Sequence, residues 1–511
     1  MMQISSPRVP PASALFEDYL NNWQSVERFY PQHYSIESIA RFAAGRPRPG
    51  PSHLDLLCSV LAEQQKRWGA SRDGVEKLGA GAVAVVTGQQ PGLFTGSHLS
   101  ILKAISAIKL ARSLEHAGVR AVPVFWVAAE DHDHVEIEST WILNRDSGLT
   151  RIHVDLSNAE PTPAGWAQFR DDAHDAVSEC LSNLPQSEFI PEVKDLLESC
   201  YKPGASPVDA FAGMMARLFP NSGLIFVDPL NMDLKRLAQP VIELAVRKNS
   251  EMRAAIIARS RSLTEAGYHE QVKVDENFTG FFAYSGKSRR VVRPGELSAD
   301  LHWSPNVLLR PVVQDTIFPT AAYVGGPAEI AYFAQGAAVY ETLRIVMPPV
   351  FPRISATILE PRVARALEKH GISLDDVFHG RDFLKRKAVE KLQGGEAFDR
   401  SRGRIEAQME SLRPVFASAD PTLLGALETS LHKILHQMET LRTKYVNAVA
   451  KRNDTMERHL EAIVNSLFPE RKLQERVINI TSFLARYGLR ITEGLENTLN
   501  LEAREHQLVE I

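Results

Sequence analysis

The chain has 511 residues, of which 44% are hydrophobic and 23% charged, with a formal net charge of -4. This ordinary composition excludes wholesale disorder, and the length suffices to bury a large core without staples. The near-neutral balance gives no global drive toward nucleic acid or anionic lipid, while leaving room for a local basic pocket.

From the start of the chain, Met1 to Ala12 is polar and proline-rich, without the basic and apolar stretches of a signal peptide. Residues 13 to about 78 read as helices, with an apolar stripe at Leu54, Leu57, Val60 and Leu61 that packs as a layer on a core. Ala82 to Val86 reads as a buried strand, Gly88 to Ser97 as a turn-rich loop, Leu99 to Leu114 as a helix and Val122 to Val127 as a second buried strand. Continuous apolar strands alternating with a helix predict a parallel sheet covered on both faces. Residues 140 to 220 lapse into mixed sequence and read as an insertion. Leu224 to Val227 returns to strand, followed by a helix near Asp233 to Arg247. Residues 278 to 293 alternate about a Ser285-Gly286-Lys287 turn and predict a hairpin. Ala321 to Val324 is a strand that breaks at Gly325-Gly326-Pro327 into a helix carrying Ile330, Phe333, Ala337 and Tyr340.

The last third changes period. Ile405, Met409, Leu412 and Phe416 lead to a turn at Ser418 to Pro421, where Asp420-Pro421 caps the next helix. Leu424, Leu427, Leu431, Ile434, Met438, Leu441 and Tyr445 continue a three/four spacing, and Met456, Leu460, Ile463 and Leu467 resume it after an offset. Two helices of a globular bundle would satisfy this pattern. The narrow seam and charged flanks favour an antiparallel coiled-coil arm, with Leu435 and Val446 off the seam left wet for a partner. The three cysteines, Cys58, Cys180 and Cys200, are far apart without a Cys-x-x-Cys pair, which fits a reducing compartment. No apolar run approaches the roughly 20 residues of a membrane helix, so the protein is expected in the cytoplasm.

Candidate chemistry gathers at strand ends. The loop Thr87-Gly88-Gln89-Gln90-Pro91-Gly92-Leu93-Phe94-Thr95-Gly96 sits where such folds bind phosphates, ahead of a helix N-terminus, although it matches no standard glycine-rich fingerprint and a tight turn is its plain alternative. Lys103, one turn into the helix, reaches toward a phosphate or lies on a solvated face. Glu130, Asp131, His132 and Asp133 end the second strand, where they would bind Mg²⁺ or act as acid and base, Asp133 alternatively capping a short helix. Asn306, Arg310 and Asp315 form a helix start with an arginine suited to carboxylate or phosphate, or to a structural ion pair. Gly325, Gly326 and Glu329 repeat the strand, glycine, helix arrangement, in which Glu329 could serve the helix dipole alone.

These runs resemble the cysteine-ligase family of bacillithiol biosynthesis. The resemblance rests on Val85 to Gly96, Lys103-Ala104, Pro123 to Asp133, Ser304 to Pro311, Gly325 to Tyr332, Val350 to Arg353 and Leu473 to Arg476. Ser97-His98 departs from the Pro-Leu expected there, making His98 either a counterpart of a nucleotidylyltransferase histidine or a neutral replacement. The resemblance implies an α/β, Rossmann-like core akin to nucleotidylyltransferases and class I synthetases, with connecting insertions and a coiled-coil arm that forms a homodimer. The expected division is a helical layer over 1–78, core halves over 79–140 and 221–384, an insertion over 141–220, the arm over 385–468 and a return over 469–511. The implied reaction joins L-cysteine to the amine of glucosaminyl malate. A carboxylate needs activation before it can acylate an amine, and ATP with Mg²⁺ is the simplest agent for such a fold. A nucleotidylyltransferase or metal-dependent hydrolase using Glu130 to Asp133 is the alternative enzyme, and a coiled-coil interaction protein on a degenerate core is the alternative of a different class.

Overall fold

Five short apolar runs assemble into the central sheet: β1 (Val83–Gln89), β2 (Ala121–Val127), β3 (Ile225–Val227), β4 (Thr320–Gly325) and β5 (Val350–Pro352). The computed structural model describes residues 3–5, 9, 12–156, 162–299, 302–392 and 395–511. Parts of the expected N-terminal layer (1–2, 6–8, 10–11), insertion (157–161), second core half (300–301) and arm (393–394) lie outside the described residues. The strand order is β5-β4-β1-β2-β3, all parallel. Every residue of β2 and β4 is buried, as their Val, Ala and Phe content requires of strands covered on both faces. From β1 the chain builds outward to β2 and β3, then returns to lay β4 and β5 on the other side. The boundary between β1 and β4 is therefore the topological switch point, where open α/β sheets place their ligands.

Helix α1 (Leu99–His116) follows β1, and α2 (Pro327–Leu343) follows β4. The stretch between β2 and β3 is a hairpin, Ser139–Leu143 with Leu149–His153, and the helices Asp172–Asn183, Ile190–Cys200 and Pro207–Leu218. Between β3 and β4 lie the helices Met232–Arg247, Asn249–Glu265 and Arg310–Ile317 and a three-stranded antiparallel sheet in which Phe281–Ser285 pairs with both Ser288–Val291 and Trp303–Pro305.

Two features were not anticipated from the sequence. Residues Gln3–Ser5 and Gln507–Glu510, from opposite ends of the chain, share a small sheet with Ala356–Leu359. The return segment after the arm is also anchored by fully buried polar side chains. Gln474 mimics a strand edge, accepting from the Ile358 N–H at 2.8 Å and donating to its carbonyl at 2.9 Å. Glu475 accepts from Arg353 Nη2 at 2.5 Å, the Ser355 hydroxyl at 3.0 Å and the Ala356 N–H at 2.8 Å.

The coiled-coil arm has a first limb of helices Arg381–Leu392, Gly395–Ser411 and Arg413–Ala419, and a second limb, α3 (Leu423–Lys451). The offset in the heptad pattern is a helix break: α3 ends and α4 (Asp454–Leu467) begins, with the Asn453 side chain accepting from Met456 N. Asp420 does not cap α3 directly but closes the preceding turn on the N–H and hydroxyl of Thr422. The arm's base has its own core, in which Val446 packs with Val363, Leu384, Met456 and Leu460. Val446 is therefore buried rather than wet. The exposed apolar positions of the arm include Ile434 and Leu441 on the second limb's seam, 39% and 59% exposed, together with Phe383, Leu412, Val415 and Leu423.

Burial pushes the Glu475 carboxyl up, but the Arg353 guanidinium and the surrounding donors dominate and hold it at about 2. Its folded value lies below the unfolded value of about 4.3, so its contribution is complete above about pH 5 and is lost as pH falls toward 2. Glu475→Gln should cost about 3 kcal/mol at pH 7, since removing one partner strands a buried charge. Denaturant midpoints measured against pH should show the difference from wild type shrinking below pH 5.

Candidate active site

A cleft of about 660 Å³ opens at the carboxyl ends of β1, β2 and β4. It is lined by Gly88, Gln89, Gln90, Lys103, Glu130, Asp131, His132, Asn306, Arg310, Gly326 and Glu329 from the set expected on sequence grounds. A larger cavity of about 1160 Å³ lies beyond Arg353 and Arg476, and none of the expected site residues lines it.

At the floor, Lys103 is buried and its three N–H bonds are all committed: to the Gly88 carbonyl at 2.7 Å, Gln89 Oε1 at 2.9 Å and Glu329 Oε2 at 2.8 Å. Glu329 also accepts from the Gly326 N–H at 2.8 Å and the Tyr323 hydroxyl at 2.7 Å. Lys103 is thus neither a solvated residue nor a free phosphate ligand. It ties the end of β1 to the start of α2 across the switch point, and Glu329 does more than complement a helix dipole. Burial draws the Lys103 ammonium below its ordinary value against the pull of Glu329. Burial opposes ionisation of Glu329 too, but Lys103 and the Gly326 N–H overcome it and hold the carboxyl down. Close approach sets the neighbouring backbone: a Cβ on Gly88 would stand 2.6 Å from the Trp126 carbonyl oxygen.

The remainder of the glycine loop turns away from the cleft. Thr87, Gly92, Thr95 and Gly96 are not among the lining residues. The Thr87 hydroxyl donates to Val324 O at 3.0 Å, and the N–H groups of Gly92, Thr95 and Gly96 bond Gln90 O, the Tyr201 hydroxyl and Leu93 O. Phe94 and Thr95 stand at φ of 52° and 74°, a costly conformation for residues with side chains. Asn479 in the return segment holds the loop there by donating to the carbonyls of Phe94 at 2.9 Å and Gly96 at 2.6 Å. His98 belongs to the same anchor: buried, with Nδ1 2.8 Å from Ile478 O. Asp315 and Gly325 also lie outside the cleft lining; Asp315 is buried and accepts from the Tyr340 hydroxyl and Gln314.

The strand-end cluster divides. Glu130 is sealed in an ion pair with Lys235 at 2.7 Å and accepts from the Tyr284 hydroxyl at 2.8 Å. Asp131 Oδ2 accepts from Gln90 at 2.6 Å, and its Oδ1 accepts from the N–H of His132 at 2.8 Å and of Asp133 at 3.2 Å. Asp133 is exposed, outside the cleft lining, and does not cap the helix His134–Ile137 with its side chain. Asn306 accepts from the N–H groups of Leu308 and Leu309 and so turns the chain that presents Arg310. Arg310 donates to the Tyr332 hydroxyl at 2.9 Å. Among the described residues, no group of three or more His, Cys, Asp or Glu is arranged to hold a metal ion.

Further lining residues were not singled out as site residues in the sequence, among them Arg289, Arg476, Glu136 and Trp126. Arg289 reaches in from the hairpin and Arg476 from the return segment. Glu136 lines the cleft from the short helix, its carboxyl raised by burial and then by Asp133 and Asp131. Trp126 lines it from β2 with its Nε1 unpartnered. Glu136 and Trp126 carried a local signal, lying within or next to the strand-end run, and Arg476 fell within the run Leu473 to Arg476 on which the family resemblance rests. Among the described residues Arg289, Arg310 and Arg476 have no carboxylate within ion-pair distance, so the cleft holds cations that are not internally neutralised.

Residues 2–298 and 298–354 match the family model described as "Bacillithiol biosynthesis BshC, N-terminal Rossmann-like domain", and residues 356–511 match the C-terminal coiled-coil domain of the same family. A relative from Koribacter versatilis named "Putative cysteine ligase BshC" is 35% identical over 98% of both chains. Relatives of the same name from Solibacter usitatus and Chlorobaculum tepidum are 32% identical over 98% of both chains and 33% identical over 89% of both.

Lys103→Met and Glu329→Gln should each destabilise the fold by about 3–5 kcal/mol, the cost of stranding one member of a buried pair. The double substitution should lose at least about 1 kcal/mol less than the sum, because the two members share the interaction. Urea unfolding of the four proteins checks this, and additive losses would show that the tie is not a unit.

Proposed function

The chain belongs to the BshC family of bacillithiol biosynthesis, a family of ligases, and from that premise we propose that it joins the carboxyl group of L-cysteine to the amine of glucosaminyl malate in the cytoplasm. The observation that carries the reading is the switch-point cleft with Arg289, Arg310 and Arg476 free of carboxylate partners, since cysteine and the malyl group are both carboxylates. Asp131 and Glu136 supply the opposite charge for the amine. Glu136, its carboxyl raised by burial and by Asp133 and Asp131 against the pull of Lys472, takes the proton the amine loses as the amide forms.

ATP, with Mg²⁺ as counter-ion, supplies activation of the cysteine carboxylate when bound. The loop amides of Gly92, Thr95 and Gly96 and the ammonium of Lys103 do not fit a phosphate cradle, being bonded already. Arg310 and Arg476 fit that role and would hold the phosphates. The exposed seam positions Ile434 and Leu441 support a twofold partner, because burying even a few such side chains favours association by roughly 1.5–3 kcal/mol each.

Two measurements test this reading. Product formation from cysteine, glucosaminyl malate, ATP and Mg²⁺ should be detectable by mass spectrometry, and Arg476→Met should raise KM for ATP roughly ten- to a hundredfold, the worth of a charge-assisted hydrogen bond. Glu136→Gln should remove the acidic limb of the kcat/KM profile. No product with any nucleoside triphosphate would overturn the ligation. For assembly, Ile434→Glu with Leu441→Glu should convert a dimer to a monomer in light scattering, while a dimer of unchanged affinity would place the interface elsewhere.

A further inference from the structure

Arg289 is held by four contacts. Its Nε donates to Ser304 Oγ at 3.1 Å, its Nη2 to the Pro305 carbonyl at 3.3 Å, and its guanidinium carbon lies 3.9 Å from the Phe282 ring centre. The fourth contact is Nη1 to His132 Nδ1 at 3.1 Å. All the anchoring partners lie on the antiparallel sheet inserted before β4, so the arginine's position is fixed by an element that carries no other part of the strand-end cluster.

A guanidinium has donors and no acceptor, so the imidazole nitrogen facing it must offer a lone pair. A neutral imidazole with Nδ1 occupied in this way carries its proton on Nε2. His132 lines the cleft, and its Nε2 has no partner among the described residues. We propose that His132 acts as a neutral hydrogen-bond donor through Nε2–H, with Arg289 as the positioning residue that sets its tautomer, and that it is not the base of the strand-end cluster. Burial and the Arg289 charge, outweighing Asp131 and Asp133, keep the imidazole from protonating, and His134 adds to the same direction.

The inference rests on the ligation reading for what the donor meets. As the amine forms its bond to the cysteine carboxyl carbon, the carbonyl electron pair moves onto oxygen, and Nε2–H hydrogen-bonds that oxyanion without giving up its proton. On collapse the bond to the activated leaving oxygen breaks, and the proton from the amine goes to a cleft carboxylate.

Nitrogen-15 histidine NMR on the full chain decides the tautomer without any turnover. At pH 7 the expected His132 signals are a bare Nδ1 and a protonated Nε2. Arg289→Met should mix the tautomers and shift the titration of His132 upward. A protonated Nδ1 or an imidazolium at pH 7 in the wild type would overturn the proposal. In turnover, His132→Ala should lose about 10²–10³-fold in kcat, the usual worth of one such donor, and His132→Gln, which keeps an amide N–H near the Nε2 position, should recover at least about tenfold. Equal losses in both variants would instead identify a base. A wild type without turnover on cysteine and glucosaminyl malate would sink the ligation reading while leaving the NMR result to judge the tautomer.

Discussion

The buried contact between Lys103 and Glu329 is the constraint on which the cleft depends. Parallel strands diverge at a switch point, and something must hold the two diverging connections at a fixed separation. Here the amine on α1 reaches the carbonyl of Gly88, the amide of Gln89 and the carboxylate of Glu329 on α2. Each group removed from water has its bonds returned by another, which is the condition under which buried charge is tolerated. The same saturation takes Lys103 out of the set of groups available to substrate. The arginines above it are each held by neutral partners or by none, so that their charge is not neutralised within the cleft.

The C-terminal return segment is the second support. After the arm, Gln474 and Glu475 fasten the chain to the strand Ala356–Leu359, and Asn479 clamps the strained turn at Phe94 and Thr95. Arg353 connects this segment to the cleft directly: its N–H bonds the Gly325 carbonyl at 2.9 Å while its guanidinium holds Glu475. The arm is thus inserted between two segments that both brace the glycine turns, and residues more than a hundred positions apart set the geometry at the ends of β1 and β4.

Local patterns carried the fold a long way. The apolar runs at Val83 and Ala121, the break at Gly325-Gly326-Pro327 and the heptad offset before Met456 each correspond to an element boundary, because burial on both faces and helical period are written in adjacent residues. What was not legible depends on pairing across distance. Nothing near Glu475 marks it as the partner of Arg353, and nothing near Arg289 marks it as a neighbour of His132. The glycine loop misleads for a related reason: Phe94 and Thr95 take positive φ as well as Gly96, and a distant asparagine makes this possible. Val446 was misplaced because it is covered from both sides of the arm's base, by Val363 and Leu384 before the second limb and by Met456 and Leu460 after it, a pairing across distance that the local spacing does not show.

The central claim is that chemistry occurs in the cleft at the switch point and not in the larger cavity beyond Arg353. A crystal structure of the full chain soaked with glucosaminyl malate and cysteine tests this most directly. The expected result is density for the malyl carboxylates and the amine within reach of Arg289, His132 and Glu136. Both substrates seated instead between the N-terminal helices and the return segment, in the cavity of about 1160 Å³, would contradict it.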